Sequence, residues 1–323
     1  MRFFATIAAS CLAVLLGTAQ TACNAQAYSV TAEMPYRGPV VAPSGAMPHT
    51  ASPIPHAART IAPPSAGSLN PARPLATPTT PAPKPNCAAV CVIDPNNGRI
   101  LYAHNANTRR QVASTQKIIT ALCVCDAKDL DKMVTIRPSD NLAPPIRLNL
   151  KPGTQYRKID LLRAMLTGSF NDVAVTLARD TAGSVDAFVA RMNARARRMH
   201  MYDTHFANPN GLPAEQYSTA HDMALAACYA YNNRIIRSCI NIPEYDFRKA
   251  DGSVRRIRST NRLLRSHPWV QGMKTGYTNL AGKCLISCGS VQGRAVIVVV
   301  LGSTSSKVWG ESLKYLKWAL NIA

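Results

Sequence analysis

The sequence predicts a mixed domain of β-strands and α-helices that follows a long proline-rich segment. Three observations predict this domain: a β-hairpin pattern that begins at Cys87, apolar residues at helical spacing through the middle of the chain, and three β-rich runs after Trp269. Strands are therefore expected at both ends of the domain, with most of the helices between them.

The N-terminus predicts export. Met1-Arg2 opens an apolar run over 3–17, and small residues lead to Ala25-Gln-Ala27, so residues 1–27 are expected to be a secretory signal peptide cut after Ala27. The run is short for a membrane-spanning helix, which makes an uncleaved anchor the lesser alternative. Lipid attachment at Cys23 is a further alternative, but the residues before it lack the usual leucine. The protein is thus expected in the periplasm or cell envelope.

Residues 28–86 are expected to form a disordered or polyproline-II linker. They contain 14 of the 23 prolines, and Ala, Ser and Thr fill much of the rest. Such a composition buries too little apolar surface to offset the entropy cost of ordering. The segment is interpreted as a tether or a passive spacer.

The folded domain is expected to span 87–323. Two apolar runs, 87–93 and 99–103, flank Asp94-Pro-Asn-Asn-Gly98 and predict the hairpin. The later predicted elements are a helix opening near Ser114, a short strand at 133–136, helices at 159–182 (broken at 168–171), 185–200 and 219–231, strands at 270–277, 282–288 and 294–301, and a helix at 309–320. Trp309, Leu313, Leu316 and Leu320 share one stripe of the last helix, which favours packing on the preceding strands over lying on a membrane.

The chain is strongly basic, with 37 Lys and Arg against 17 Asp and Glu, a formal charge of +20. A basic surface suits anionic partners such as nucleic acid, acidic membranes or the acidic polymers of a cell wall. Nucleic acid is not expected as a partner, because no zinc spacing, R/K-G-F-G-F run or basic heptad region occurs. The arginine run in 185–200 is interpreted as a solvated helix face.

Eight cysteines remain outside the predicted signal peptide, and an even number in an exported chain permits disulfides. The alternative is buried free thiols. Cys228 and Cys239 bracket a short turn and are the first pair to test; the pairing is otherwise open. His221-Asp222 is interpreted as helix capping rather than a metal pair, since no second ligand cluster accompanies it.

Gln111 to Leu122 carries the first candidate catalytic pair, Ser114 and Lys117. Three residues apart on a helix, the two side chains share one face. A lysine that close takes the serine proton, provided that burial or a second cation lowers its pKa. Two further polar clusters lie at the edges of apolar elements: Ser169-Phe-Asn171 inside a helical stretch and Lys274-Thr-Gly276 on a predicted strand.

The order S-x-x-K, S-x-N, K-T-G is the signature of penicillin-binding proteins and serine β-lactamases. With V-I-D-P-N-N-G-R-I-L-Y-A-H-N, M-L-T-G-S-F-N-D-V-A-V-T-L-A and G-M-K-T-G-Y-T-N-L-A-G-K-C-L, the chain from Cys87 onward resembles the D-alanyl-D-alanine carboxypeptidases of serine peptidase family S11. The resemblance implies an α+β fold of the β-lactamase/transpeptidase type. A five-stranded antiparallel sheet flanked by helices would stand beside an all-helical lobe, and the first two strands would meet the last three.

The resemblance also implies roles for the motif residues in trimming the terminal D-alanine from peptidoglycan stem pentapeptides. Ser114 would form an acyl-enzyme, Lys117 would accept its proton beside the cation of Lys274, and Ser169 would relay a proton to the leaving amine. The residues expected to bind substrate are Asn171, Lys274, Thr275, Gly276 and Tyr277, the last through its backbone N–H in an oxyanion hole with that of Ser114. No metal or cofactor is required, and β-lactam antibiotics would be covalent inhibitors.

Two departures from the family pattern bear on these expectations. Some members hold the substrate carboxylate with an arginine at a position where this chain has Thr260, flanked by Arg258 and Arg262, so that role stays unassigned. Members with a β-rich C-terminal domain and an anchor continue well past the closing helix, where this chain stops, so any membrane attachment is expected to come from the N-terminus or from the basic surface.

The alternatives are an endopeptidase that cleaves cross-links and, less favoured, a serine β-lactamase or an inactive wall-binding protein. A class A β-lactamase needs an E-x-x-L-N glutamate between the second and third motifs, and neither Glu215 nor Glu244 begins such a sequence. The intact motifs argue against an inactive binder.

Overall fold

The computed structural model describes residues 75–322. The predicted signal peptide and residues 28–74 of the predicted linker lie outside the described residues and stay predictions. The described strands are β1 (Ala89–Ile93), β2 (Ile100–His104), β3 (Met133–Thr135), β4 (Gln155–Arg157), β5 (Glu244–Arg248), β6 (Val254–Arg258), β7 (Val270–Thr278), β8 (Gly282–Val291) and β9 (Arg294–Ser303). The helices are α1 (Lys117–Asp126), α2 (Lys158–Gly168), α3 (Asn171–Ala182), α4 (Val185–Arg198), α5 (Ala220–Asn232), α6 (Arg234–Ile240), α7 (Leu263–Ser266) and α8 (Val308–Leu320), with short 3-10 helices at Ala113–Gln116 and Pro138–Leu142.

Five strands form one antiparallel sheet in the order β2-β1-β9-β8-β7. The two strands of the N-terminal hairpin join the three C-terminal strands through the β1–β9 pairing, which sets Ala89 opposite Leu301 and Ile93 opposite Ile297. The predicted α+β fold with a discontinuous five-stranded sheet is therefore confirmed. As a result, β2 and β7 lie at opposite edges of the sheet.

Both faces of the sheet are covered, which explains why β9 is a near-continuous apolar run. Cys91, Ile297 and Val299 belong to a core shared with the helices on one face, whereas Val90, Val298 and Val300 pack with α8 on the other. This alternation follows from the two-residue period of a strand. The predicted packing of the C-terminal helix on the sheet is confirmed, with Leu316 and Leu320 buried and Trp309 and Leu313 partly buried.

The predicted helix at 159–182 is two helices, α2 and α3, and the break falls at Ser169-Phe170 as expected. Ser169 ends α2 in the left-handed region with φ 63°. This turn reverses the chain inside an apolar stretch and presents polar groups at the interior. Thr219 caps α5 by accepting a hydrogen bond from the Asp222 N–H, as the capping interpretation expects. The Asp222 carboxylate instead accepts from the Asp203 N–H and the Thr204 hydroxyl.

Several short elements differ from the expectation. No sequence pattern predicted β4, α6, the β5–β6 hairpin or α7, because these elements are short and their local patterns carry little signal. The boundary between linker and domain also differs, because residues 75–86 contact α8 and the β1–β2 turn. This stretch contains four prolines, so its composition resembles that of the linker. A boundary drawn from composition therefore falls at residue 86.

All eight cysteines from Cys87 to Cys288 are free thiols, so the Cys228–Cys239 bridge that the sequence offered for testing does not form. Cys228 on α5 and Cys239 on α6 are buried separately in the apolar core. Burial raises the pKa of both thiols. Across residues 75–322, no helix combines the length and apolar character that crossing a membrane requires.

Candidate active site

Ser114 and Lys117 meet at the junction of the short 3-10 helix 113–116 and α1. The sequence predicts an α-helix that opens near Ser114, but Ser114 lies in the 3-10 turn and α1 begins at Lys117. Lys117 Nζ donates to Ser114 Oγ at 2.8 Å. A 3-10 turn brings residues i and i+3 over one another, so the change of helix type preserves the pairing.

Lys117 is fully buried and has only neutral oxygen partners within hydrogen-bonding distance. Besides Ser114, its Nζ donates to Asn171 Oδ1 at 2.8 Å and to the Asn210 carbonyl oxygen at 2.5 Å. Burial, and then the nearby charge of Lys274, hold the pKa of Lys117 well below its ordinary value. Both effects disfavour the ammonium form, so a neutral amine can stand beside the serine hydroxyl.

Ser169 and Lys274 form a second polar contact in the same interior. Lys274 on β7 donates to Ser169 Oγ at 2.8 Å and to the Thr275 carbonyl oxygen at 2.9 Å. Burial lowers the pKa of Lys274 to about 7. The three motifs, which are far apart in sequence, therefore each contribute to a hydrogen-bonded pair at the site.

Thr275 turns its hydroxyl to Thr260, whose Oγ1 accepts at 2.7 Å. Neither arginine that flanks Thr260 takes part in this contact. Arg258 is paired with Glu244 on the β5–β6 hairpin, and Arg262 lies over the ring of Trp309. The described contacts of Thr260 therefore pair its hydroxyl with that of Thr275, and neither flanking arginine joins them.

Gly276 lies against the backbone of the 113–116 turn. A Cβ at this position would stand 2.8 Å from the Ser114 nitrogen and 3.0 Å from the Thr115 nitrogen, closer than side-chain carbons approach backbone. The side chain of Tyr277 next to it is 55% exposed, and its hydroxyl donates to Asn279 Oδ1. Strand β7 and the turn that carries Ser114 thus share a contact that only glycine permits.

The sequence did not reveal that loop 208–212 contributes to the site, where it supplies the Asn210 carbonyl oxygen. That oxygen accepts from Ser114 Oγ at 3.1 Å as well as from Lys117. Gln116 and Thr120 hold the loop by donating to the carbonyl oxygens of Asn208 and Pro209, both at 2.6 Å. The turn-rich stretch N-P-N-G was visible in the sequence, but nothing in it indicated a backbone acceptor for catalytic groups.

The loop meets the same turn at Gly211, which has φ +84° and lies so close that a Cβ would stand 2.2 Å from the Ala113 carbonyl oxygen. Ala113 itself has a positive φ of 48°. Glycine is required at 211 for both the φ value and the close approach. Ser114 is therefore enclosed by loop 208–212 on one side and β7 on another.

A serine beside a buried, deprotonatable lysine, at the edge of a five-stranded sheet and a helical lobe, defines a protein of the penicillin-binding, transpeptidase-like class. The sequence profile of the D-alanyl-D-alanine carboxypeptidase family, peptidase family S11, matches residues 76–305. The chain belongs to this family.

Known relatives agree with this assignment. The chain is 32% identical over 222 residues to D-alanyl-D-alanine carboxypeptidase DacF of Bacillus subtilis, covering 67% of this chain and 57% of that protein. It is also 32% identical over 215 residues to a D-alanyl-D-alanine endopeptidase of Pseudomonas aeruginosa, covering 65% of this chain and 69% of that protein. A solved D-alanyl-D-alanine carboxypeptidase structure from Mycobacterium tuberculosis superposes with a TM-score of 0.71 at 29% identity, covering 77% of this chain and 97% of that one.

Proposed function

We propose that the chain is a serine-type D-Ala-D-Ala carboxypeptidase that removes the terminal D-alanine from peptidoglycan stem pentapeptides. The observation that carries the proposal is the 2.8 Å contact between Ser114 Oγ and the fully buried Nζ of Lys117. Membership of the carboxypeptidase family supports the choice of substrate.

In the proposed reaction, Ser114 Oγ attacks the carbonyl carbon between the two D-alanines as its proton passes to neutral Lys117. The tetrahedral intermediate collapses, the C–N bond breaks, and the leaving amine of the terminal D-alanine takes a proton by way of Ser169. The product is an ester on Ser114, and attack by water then releases the shortened peptide and restores the hydroxyl.

Substrate binding is assigned to groups around this pair. Asn171, whose Oδ1 accepts from Lys117, would bond the backbone amide of the substrate through its side chain. Thr275 and Lys274 would hold the terminal carboxylate, since a hydroxyl and a nearby ammonium both favour an anion. Gly276 lets β7 lie against the turn that carries Ser114, so that a peptide bound alongside β7 would pass beside Ser114. The N–H groups of Ser114 and Tyr277 would bind the oxyanion.

Cleavage of cross-links is the second candidate function. It is supported by the similarity to the Pseudomonas aeruginosa protein named an endopeptidase, and it would use the same catalytic groups. Class A β-lactamase activity has less support. Glu244 is paired with Arg256 and Arg258 on the β5–β6 hairpin, and Glu215 is exposed on a loop.

We assign the enzyme to the cell envelope, the compartment of its proposed substrate. The export signal predicted for residues 1–27 and the +20 charge, which suits acidic wall polymers, support this assignment. Membrane association would come through the N-terminus. β-Lactam antibiotics would acylate Ser114 as covalent inhibitors.

The test is acylation of the purified full chain by a fluorescent penicillin, followed over time by intact mass. A lasting adduct on Ser114 is expected, together with release of D-alanine from a pentapeptide. Ser114→Ala should lose labelling while its far-UV circular dichroism stays unchanged, because only one hydroxyl is removed.

Three results would change the assignment. Normal labelling of Ser114→Ala would disprove the nucleophile, and rapid turnover of the drug would favour a β-lactamase. Faster cleavage of cross-linked dimers than of pentapeptides would favour the endopeptidase.

A further inference from the structure

Residues 75–86, here called the proline strap, lie along α8 without forming a helix or a strand. The strap carries Pro78, Pro81, Pro83 and Pro85. Because proline has no backbone N–H, such a segment cannot pair with a sheet edge along its length. Its carbonyl oxygens need donors from elsewhere.

Those donors are side chains of α8. Trp318 Nε1 donates to the Thr80 carbonyl oxygen and the Tyr315 hydroxyl to that of Pro83, both at 2.8 Å. Lys314 Nζ donates to the Lys84 carbonyl oxygen at 2.5 Å. The order of these contacts shows that the strap runs antiparallel to α8.

The donors stand on an aromatic surface. Tyr102 on β2 stacks on Tyr315 with ring centroids 5.3 Å apart and meets Trp318 edge-on at 6.2 Å. Aromatic rings that also carry an N–H or O–H donor are the means by which proteins recognise proline-rich peptides, whose carbonyls form no internal hydrogen bonds.

Both ends of the strap are fastened by charged groups. At one end the Asn86 N–H donates to Glu311 Oε1 at 2.7 Å, and Glu311 is a buried carboxylate on α8. At the other end Leu75 is buried at the β1–β2 turn, where its N–H donates to Asp94 at 3.3 Å and its carbonyl oxygen accepts from Arg99 at 2.6 Å. The strap thus donates a backbone N–H to a buried carboxylate at each end, which a segment lying loosely on the surface would not do.

We infer that the surface formed by Tyr102, Lys314, Tyr315 and Trp318 is a docking groove for a proline-rich peptide, and that its occupant is the chain's own strap. The groove fixes where the preceding chain leaves the domain, beside the β1–β2 hairpin. Strand β7, with Lys274 and Thr275, lies at the opposite edge of the sheet, four strand spacings or about 19 Å away. The first residue of the strap, Leu75, is thereby held at the β1–β2 turn, away from Lys274 and Thr275.

The test uses the full chain with Pro78, Pro81, Pro83 and Pro85 all replaced by glycine, which loosens the strap without touching the groove. A fluorescein-labelled peptide of the native sequence 75–86 is then titrated against this variant and against the unmodified chain, and anisotropy is measured. The labelled peptide is expected to bind the glycine variant saturably and the unmodified chain at least about tenfold more weakly, because its own strap occupies the groove.

Groove variants in the same glycine background identify the contact surface. Tyr315→Phe with Trp318→Phe removes two donors and keeps aromatic rings at both positions, and should weaken peptide binding about tenfold. Trp309→Phe is the matched control on α8, because Trp309 has no hydrogen bond to the strap, and should bind like its parent. Far-UV circular dichroism verifies that each variant is folded.

Failure of the peptide to bind the glycine variant, or equal binding after the Tyr315→Phe and Trp318→Phe changes, would overturn the inference. The unmodified chain could instead form a concentration-dependent dimer, in which each strap occupies the groove of the other copy. If proteinase K cut the strap only in the monomer, the inference that the strap is bound within its own chain would be overturned.

Discussion

At the scale of single residues, the site depends on lysines that are buried without a carboxylate partner. Lys158 is equally buried, but it forms salt bridges with Asp129 at 2.8 Å and Asp180 at 2.9 Å. Lys117 and Lys274 form no salt bridge among the described residues and donate to neutral oxygens instead. A buried cation without a counter-ion is costly, so burial lowers the pKa of both side chains. In the proposed reaction Lys117 is the neutral proton acceptor, whereas Lys274, with a pKa of about 7, still carries part of its charge at neutral pH.

Lys274→Met should stabilise the protein at neutral pH. The pKa of Lys274 falls from 10.5 in the unfolded chain to about 7 in the fold, so between these values the unfolded state binds more protons and the free energy of unfolding rises with pH. The variant lacks this contribution, so its free energy of unfolding should depend less on pH between pH 7 and pH 10. At pH 7 its free energy of unfolding should be higher than that of the wild type, as measured by urea unfolding. Lys158→Met, which leaves two carboxylates unpaired, is the control and should be less stable. Equal pH slopes for wild type and Lys274→Met would contradict the prediction.

Thr275→Val should impair recognition of a free C-terminal carboxylate. A hydrogen bond to a charged group contributes about 1.5–3 kcal/mol, so kcat/KM for a D-Ala-D-Ala peptide should fall at least about tenfold. For the same peptide with a C-terminal amide, kcat/KM should fall much less. Thr278→Val on the same strand serves as control, since its hydroxyl only accepts from the Ala281 N–H. Equal losses on both peptides would show that Thr275 has a structural role alone.

At the scale of elements, the position of Ser114 is set by three backbone segments that press together: the 3-10 turn 113–116, loop 208–212 and β7. Gly211 and Gly276 lie at these contacts, where a Cβ would stand 2.2 Å and 2.8 Å from backbone atoms of the turn. Helix α1 then begins at Lys117 and is buried among the helices of the lobe. Ser114 thus lies on a turn that two neighbouring backbone segments hold in place.

Gly276→Ala should abolish acylation by fluorescent penicillin while the domain stays folded. The added methyl group has to displace the Ser114 backbone, because no flexible side chain is there to yield. Gly310→Ala is the matched control. Gly310 lies in α8, where an added Cβ would meet nothing within 4 Å, and the change should raise stability by about 0.5–1 kcal/mol through helix propensity. Normal labelling of Gly276→Ala would show that the turn tolerates displacement.

At the scale of the whole molecule, the sheet separates two sets of contacts. The helices that carry Lys117 and Asn171 pack on one face, whereas α8 and the proline strap occupy the other. The strap begins at the β1–β2 turn, and β2 and β7 lie at opposite edges of the sheet. The core on both faces is apolar side chains and free thiols rather than covalent cross-links.

Reductant should therefore leave the melting temperature unchanged. Stability comes from burial of apolar surface in two cores, and no disulfide restricts the unfolded chain from Cys87 to Cys288. Alkylation of the denatured, unreduced protein should modify all eight of these cysteines, read by peptide mass spectrometry. Protected cysteine pairs, or a melting temperature that falls in dithiothreitol, would contradict the prediction.

The sequence by itself determined the parts of this protein that depend on local pattern. The two-residue and 3.6-residue periods predicted the hairpin, the meander and the long helices, and the motifs at Ser114, Ser169 and Lys274 selected residues that the structure joins by hydrogen bonds. The glycine-rich and asparagine-rich turns were visible too. Each of these signals lies within a stretch of about 15 residues, the range over which periodicity and capping act.

Only the tertiary structure decided the contacts between distant segments. The Asn210 carbonyl oxygen at Lys117, the pairing of Thr275 with Thr260, and the strap on α8 all join residues that no local pattern relates. The free state of the cysteines was likewise left open by their spacing. A backbone carbonyl or a hydroxyl acquires a role only when packing brings a partner within about 3 Å, and that distance is set by the whole fold.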